Sequence, residues 1–278
     1  MPINAYNPTT PARRGMTSQD LSDVTTRKPL KSLVKSKKQN AGRNNTGRIT
    51  VRHRGGGVRR HYRLLNHRLA AGLTLTVEEI EYDPNRSARI ARVKDQYGLY
   101  HYIIADTGAI KGKVIQTGAE APVEQGNRLP LAQLPVGAQI YAIEINPGKG
   151  AQMVRAAGAK AQLMAKEGGM TQIKLPSGEI RVVPENCLAS IGVVSNTEHS
   201  NIKIGKAGRT RHMGFRPTVR GKAMNPVDHP HGGGEGGTSI GLKHPKTPWG
   251  VAALGLKTRN RKKQSNGLII RSRKKGRR

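Results

Sequence analysis

Met170-Thr171-Gln172-Ile173-Lys174-Leu175-Pro176-Ser177-Gly178-Glu179-Ile180-Arg181-Val182-Val183 is the stretch on which the fold turns. Two runs rich in aliphatic and β-branched residues enclose Pro-Ser-Gly, whose proline presets φ and whose glycine accepts a positive φ. The pair predicts an antiparallel hairpin. Further short runs lie outward from it. Leu188–Val194 follows, while Lys160–Lys166 (a strand or one helical turn) and Ala138–Ile145 precede it, with the turn signal Asn146-Pro147-Gly148-Lys149-Gly150 between those two. Leu131, Leu134 and Val136 open the block. Together they predict an SH3-like barrel over residues 126–196, about 70 residues and viable for one small core.

Upstream, Leu73–Val77 leads into Ile80 and Tyr82, and Ala88–Val93, Leu99–Ile104 and Lys113–Ile115 follow. Asp83-Pro84-Asn85 and the Asp95–Gly98 segment are turns. Short strands at nearly even spacing predict a small closed barrel of the oligonucleotide-binding type, within residues 41–125. One Trp and one Phe in 278 residues weaken the version in which bases stack on that barrel's aromatics. Tyr82, Tyr100 and Tyr102 therefore read as core residues. The fold class is mainly β: an oligonucleotide-binding-type barrel, then an SH3-like barrel, with long extended basic segments at 1–40 and 197–278.

The charge distribution follows the same division. The chain carries 49 Lys+Arg against 17 Asp+Glu, a formal net charge of +32. Residues 1–70 hold 16 basic and 2 acidic side chains, residues 71–200 hold 13 of each, and residues 201–278 hold 20 and 2. A neutral middle can bury a core. The basic ends, poor in aliphatics, cannot offset roughly 1–2 kcal/mol per residue of backbone ordering entropy. They are expected to be disordered alone and ordered by a polyanion. Nucleic acid fits, since every neutralised phosphate releases counterions. A membrane surface fits less well, because the ends present no amphipathic helix with large apolar anchors. No run approaches the length of a bilayer span, and the first thirty residues lack the apolar region of a secretory signal. The single Cys187 excludes an intrachain disulfide.

Arg48–Arg54 alternates apolar and cationic residues as a strand with one basic face does. Gly55-Gly56-Gly57 follows, then Arg59, Arg60 and Arg63. Glycines beside arginines let backbone amides approach a phosphate while guanidiniums clamp it from the side. Near the other end, Lys206, Arg209, Arg211, Arg216 and Arg220 lead into Met224–Gly237, which holds five glycines, two prolines, His229 and His231. That composition disfavours helix and strand alike, so the run is expected to be ordered only by something outside it. His229-Pro230-His231 beside Asp228 and Glu235 lacks the ligand number and spacing of a zinc site, and Gly232, Gly234 and Gly237 match a dinucleotide fingerprint without its strand and helix. The functional reading is a backbone-rich wedge that enters folded RNA, with histidines that hydrogen-bond or stack on bases. The competing reading is a polar loop.

The stretch resembles the signature of the second protein of the large ribosomal subunit, in its bacterial form. So do Gly42–Gly57, Asp83–Ala91, Val154–Gly158, Gly205–Arg209, Arg216–Gly221 and Pro248-Trp249-Gly250, in order along the chain. Val58, Asn66-His67 and His212 depart from the residues usual there. The resemblance implies the two barrels, with extended ends buried in large-subunit ribosomal RNA. It implies that Arg86 and Arg155, near the interface of the barrels, contact RNA, and that the Asp228–His231 loop lies toward the peptidyl-transferase region and the intersubunit side.

The reading is then a structural constituent of the large subunit, not an enzyme, with at most an assisting role for His229. No cofactor and no metal are expected. The RNA-binding set is Arg52, Arg54, Gly55, Gly56, Gly57, Arg59, Arg60, Arg63, Arg86, Arg155, Lys206, Arg209, Arg211, Arg216, Arg220, Asn225, His229, His231, Gly232, Gly233 and Gly234. Expected partners are large-subunit ribosomal RNA, neighbouring ribosomal proteins and the small subunit at an intersubunit bridge, with no membrane and no small-molecule substrate. The expected place is the ribosome in the cytoplasm, with an organellar ribosome as the alternative. The rival functions are a general basic nucleic-acid-binding protein and a histidine-based metalloenzyme.

Overall fold

The computed structural model describes residues 3–273, so the first two residues of the arm and the last five of the basic tail lie outside the described residues. The chain divides into two compact units. One comprises Met1–Lys38, Arg59–Lys206 and Gln264–Arg278; the other comprises Gln39–Val58 and Ala207–Lys263.

In the first unit, β1 (Ile3–Ala5) pairs with β2 (Thr17–Gln19) across a one-turn helix α1 (Pro11–Arg14), and β3 (Val34–Ser36) pairs with β4 (His61–Arg63). Four strands then form an antiparallel sheet in the order β7-β6-β5-β8: β5 (Thr74–Glu81), β6 (Ile90–Asp95), β7 (Tyr100–Ile104) and β8 (Val114–Gln116). Alternation sets the register. Leu75, Val77, Ala91, Val93, Ile103 and Ile115 meet in one apolar cluster, while Thr76 and Lys94, opposite each other, face outward. A register shift between Val77 and Glu79 bends β5.

The second sheet has seven strands in the order β15-β13-β12-β11-β10-β14-β9. Its members are β9 (Arg128–Pro130), β10 (Gln139–Tyr141), β11 (Ala161–Glu167), β12 (Met170–Lys174), β13 (Ile180–Pro184), β14 (Leu188–Ile191) and β15 (Ile269–Arg271). The β12–β13 hairpin forms as its sequence predicts, with Met170 opposite Pro184 and Lys174 opposite Ile180. Lys160–Lys166 resolves as strand. Leu129, Leu131, Leu134, Ile140, Leu163, Ile173 and Val183 make its core. The architecture is mainly β, an oligonucleotide-binding-type barrel and an SH3-like barrel. A third cluster joins them: Ala88 and Ile104 from the first barrel pack with Tyr141, Ala142, Ala151 and Val194 from the second.

The arm is tied to these barrels. Arg89, 1% exposed, pairs with Asp23 at 2.9 Å and donates to Gln19 and to the Asp20 carbonyl. Thr25 N–H donates to Ile80 O, and Leu30 N–H to the Tyr102 hydroxyl. The tail contributes β15, which extends the sheet beyond β13.

Two readings are corrected. Arg48–Arg54 is a run of bends, not a strand; Ile49 and Val51 are exposed because there is no apolar surface beneath them. Tyr102 is core, but Tyr82 and Tyr100 are 42% and 37% exposed. The Gly42–Gly57 stretch shares a compact unit with residues 207–263.

The second unit has 77 residues with 16 Lys+Arg and 2 acids, Asp228 and Glu235. It contains one short α-helix, α2 (Ala207–His212), a single 3-10 turn at Gly221–Ala223, and otherwise turns and bends. His229 is its single buried residue.

Candidate nucleic-acid interface

The arginines expected to clamp phosphate fall into different physical situations. Arg63 on β4 is buried, donates to His61 O and lies 4.0 Å from Asp83. Arg86 sits in a turn that Asp83 holds: Asn85 N–H donates to Asp83 Oδ1, and Arg86 Nε to Asp83 Oδ2 at 2.7 Å. Arg60 donates to Pro84 O. Asp83, fully buried, thus anchors a cationic turn rather than leaving Arg63 and Arg86 loose.

Arg155 is exposed and donates to Ala151 O. The residue before it, Val154, has φ +54°, a left-handed conformation that a β-branched side chain rarely adopts. The strain is held by Ala142 N–H, which donates to Val154 O at 2.9 Å, and by packing against the second barrel's core and the cluster that joins the barrels. Ala157 N–H donates to Ser87 Oγ, so the loops carrying Arg86 and Arg155 are stitched together. His67 Nε2 lies 3.4 Å from Arg155 Nη1. Burial, then the charges of Arg155, Arg86 and Arg128, push the His67 imidazolium down to a pKa of about 4. Arg155 therefore lies beside a neutral imidazole.

Arg128, missed in the sequence, shows what such an arginine does when it is structural. It is 3% exposed, donates to Ala142 O and pairs with Glu144 at 3.1 Å. Glu144 also accepts from the amides of Gly148, Gly150 and Leu188, which closes the Asn146–Gly150 turn. No sequence signal separates Arg128 from the exposed arginines, because its partner lies 16 residues away across a sheet.

In the second unit, the triple glycine is packed rather than open. Gly55 N–H donates to Gly214 O, and Val58 N–H to His212 O. A Cβ on Gly57 would lie 2.8 Å from Gly214 Cα, so only glycine permits this backbone contact. Arg211 lies against Gly56, and α2 carries Arg209 and Arg211 two residues apart within its last turns. Arg54 covers the Phe215 ring at 4.2 Å and Arg52 the Trp249 ring at 5.3 Å. Arg216 and Arg220 are exposed, as are Lys206 and Arg59 in the first unit.

The Met224–Gly237 loop also holds itself. Asn225 O accepts from Asp228 and His229, His229 O accepts from Gly232, and Met224 O accepts from Gly233. A Cβ on Gly232 would lie 2.3 Å from Asn225 O, and one on Gly221 would lie 2.5 Å from the His229 ring. His229 Nδ1 accepts from His231 N–H at 3.0 Å, and His231 Nε2 accepts from Lys246 N–H at 2.8 Å. Both rings thus spend a lone pair on the backbone. Burial, His229 and Lys246 lower the His231 pKa. The expectation that only an outside partner orders the run is corrected to this extent: its turns close internally, through contacts that glycine alone allows. Asp228, Pro230 and Val227 point outward, Val227 being 91% exposed. Among the described residues no three His, Cys, Asp or Glu side chains come together as a metal site.

Two family models match the chain: the RNA binding N-terminal domain of Ribosomal Proteins L2 over residues 30–117, and the C-terminal domain of Ribosomal Proteins L2 over residues 124–250. The chain belongs to the ribosomal protein L2 family. L2 proteins are structural, RNA-binding constituents of the ribosome's large subunit and work in translation. Their partners are ribosomal RNA and other ribosomal proteins, and their place is the ribosome. In this L2 chain the N-terminal match carries Arg52, Arg54, Gly55–57, Arg59, Arg60, Arg63 and Arg86. The C-terminal match carries Arg155, the α2 arginines and the histidine loop.

Proposed function

We propose that this L2 chain orders large-subunit ribosomal RNA around the peptidyl-transferase centre and supports association with the small subunit. The single observation that carries the RNA part is the second unit: 77 residues, 16 cations, and no buried apolar side chain. Such a unit lacks the burial that offsets ordering entropy, and a polyanion supplies the missing free energy. In this reading residues 1–40 are an arm, 41–125 and 126–196 the barrel domains, and 197–278 the segment that penetrates RNA. The ribosome concerned is cytoplasmic.

Arg52, Arg54, Arg59, Arg60, Arg155, Lys206, Arg209, Arg211, Arg216 and Arg220 act as phosphate contacts. Gly55–57 and Gly232–234 let backbone approach RNA, and Asn225, His229 and His231 shape the loop. Arg63 and Arg86 act through the Asp83 turn. His229 is a positioning residue: it is buried, and its Nδ1 accepts an amide proton, so peptide-bond chemistry is left to the RNA.

The test is salt-dependent binding of the full chain to large-subunit ribosomal RNA. Arg155→Ala is expected to weaken binding and reduce the salt slope by about one unit, the signature of one phosphate contact. Arg63→Ala is expected to lower stability with a slope change well below that. An unchanged slope for Arg155→Ala sinks the inter-barrel contact. Loss of the chain from large subunits in a high-salt wash sinks the wider reading.

A further inference from the structure

The chain has one tryptophan, and it lies in the unit without a core. Trp249 is 77% exposed, on the turn Thr247–Val251 closed by Thr247 N–H to Val251 O and Gly250 N–H to Thr247 O. Gly250 takes φ +78° there. A tight turn thus holds the largest aromatic ring of the chain out in solvent. Arg52, brought from a segment nearly two hundred residues earlier, sets its guanidinium over that ring at 5.3 Å from the centroid. Arg54 and the exposed Phe215 repeat the arrangement at 4.2 Å.

An exposed indole costs solubility and contributes nothing to folding. A guanidinium over one face leaves the other for a second planar group, and the cation enhances stacking on that ring. Two classes of partner present planar groups: RNA bases and protein aromatics. The surroundings favour RNA, because the unit carries 16 cations and 2 acids. An apolar protein surface leaves those cations uncompensated, whereas unpaired nucleotides supply both a base for the ring and phosphates for the guanidiniums.

We propose that Trp249, backed by Arg52, is a stacking platform for an unpaired nucleobase of the bound RNA, with Arg54–Phe215 a second platform of the same construction. This rests on the reading of the chain as a ribosomal RNA binder. The site adds base stacking to the phosphate contacts assigned above to Arg52 and Arg54, and it explains why the aromatic-poor chain spends its Trp and Phe here.

The sole tryptophan is its own reporter. Full-length chain is titrated with large-subunit ribosomal RNA, and binding is followed independently by anisotropy of labelled RNA. Indole emission and its quenching by acrylamide are read at each point. Stacking predicts that bound RNA quenches the emission and abolishes most acrylamide accessibility, that a fully paired duplex RNA does neither, and that Trp249→Ala weakens binding about tenfold with the salt slope retained, while Trp249→Phe recovers part of the loss. RNA that binds while Trp249 stays accessible overturns the platform and leaves the proposed function standing. Shielding by duplex RNA to the same degree, or shielding only when other ribosomal proteins are added, also overturns it, the latter in favour of a protein partner. Failure of the chain to bind RNA at all overturns both readings.

Discussion

Both compact units are rich in arginine, yet they are held in different ways. The barrel unit buries Leu75, Ile90, Leu129, Ile140, Leu163, Ile173 and some twenty other apolar side chains. The unit of residues 39–58 and 207–263 buries none, and exposes Val227, Trp249, Leu254 and Leu256 instead. It has 16 of the chain's 34 glycines in little more than a quarter of its length. Where the first unit packs side chains on side chains, the second packs backbone on backbone, Gly57 on Gly214 and Gly232 on Asn225 O. The difference separates two roles in one chain: a scaffold stable by its own burial, and an extension whose shape is preset by glycine contacts and whose stability comes from its partner.

The comparison is attacked most directly through the charges of the barrel unit. Glu144→Ala leaves the Arg128 guanidinium buried without its carboxylate and also strips the acceptor from three amides. It is expected to cost roughly 3–5 kcal/mol. Urea unfolding followed by far-ultraviolet circular dichroism measures this, and a loss under 1 kcal/mol breaks the account of Arg128 as structural. Next in size is the core itself. Leu163→Ala is expected to cost about 2–5 kcal/mol, whereas Leu256→Ala in the second unit, 57% exposed, should stay within about 0.5 kcal/mol. Equal losses for the two would mean that the second unit has an interior after all.

A smaller effect tests the junction of the barrels. The folded state holds His67 neutral down to a pKa of about 4, below the ordinary 6.5 of the unfolded chain. Between those values the unfolded chain binds the extra proton. The contribution is therefore fully present above about pH 6.5, is lost as pH falls toward 4, and amounts to on the order of 2 kcal/mol after solvent screening. In His67→Phe this limb should vanish, so the stability difference between variant and parent should change between pH 7 and pH 4.5 in the variant's favour. A difference independent of pH would show that His67 is not held neutral beside Arg155.

How far the sequence carries these distinctions follows from range. Strands were legible where alternation and turn residues act locally, as in Met170–Val183 and Leu73–Glu81. Alternation misled at Arg48–Arg54, because a period of two marks a strand only where a surface exists to bury one face. The cations were legible as a class and not as individuals. Arg89 meets Asp23 from 66 residues away, and Arg128 meets Glu144 from 16, so their buried roles depend on tertiary contacts that spacing does not encode. The glycines of the loop read as a run that only an outside partner orders; in the structure they let the loop close on itself. Arg52 and Trp249 come together only in the folded chain, and composition counted the tryptophan merely as scarce.

The smallest global effect sharpens the comparison most. Gly221 and Gly237 flank the histidine loop, and neither has a positive φ. A methyl on Gly221 meets the His229 ring at 2.5 Å, while one on Gly237 meets nothing within 4 Å. Because the loop shares no apolar core, neither alanine variant should move the global unfolding midpoint by more than about 0.5 kcal/mol. Only Gly221→Ala should disturb the loop: the ring must shift, its Nδ1 loses the His231 amide, and the His231–Lys246 bond is disturbed in turn. The imidazole resonances of His229 and His231 in nuclear magnetic resonance spectra report this, with His67 and His101 in the barrel unit as internal controls. If Gly221→Ala leaves both loop histidines unmoved, backbone packing does not shape the loop. If it moves the barrel histidines as well, the second unit is not energetically separate from the first.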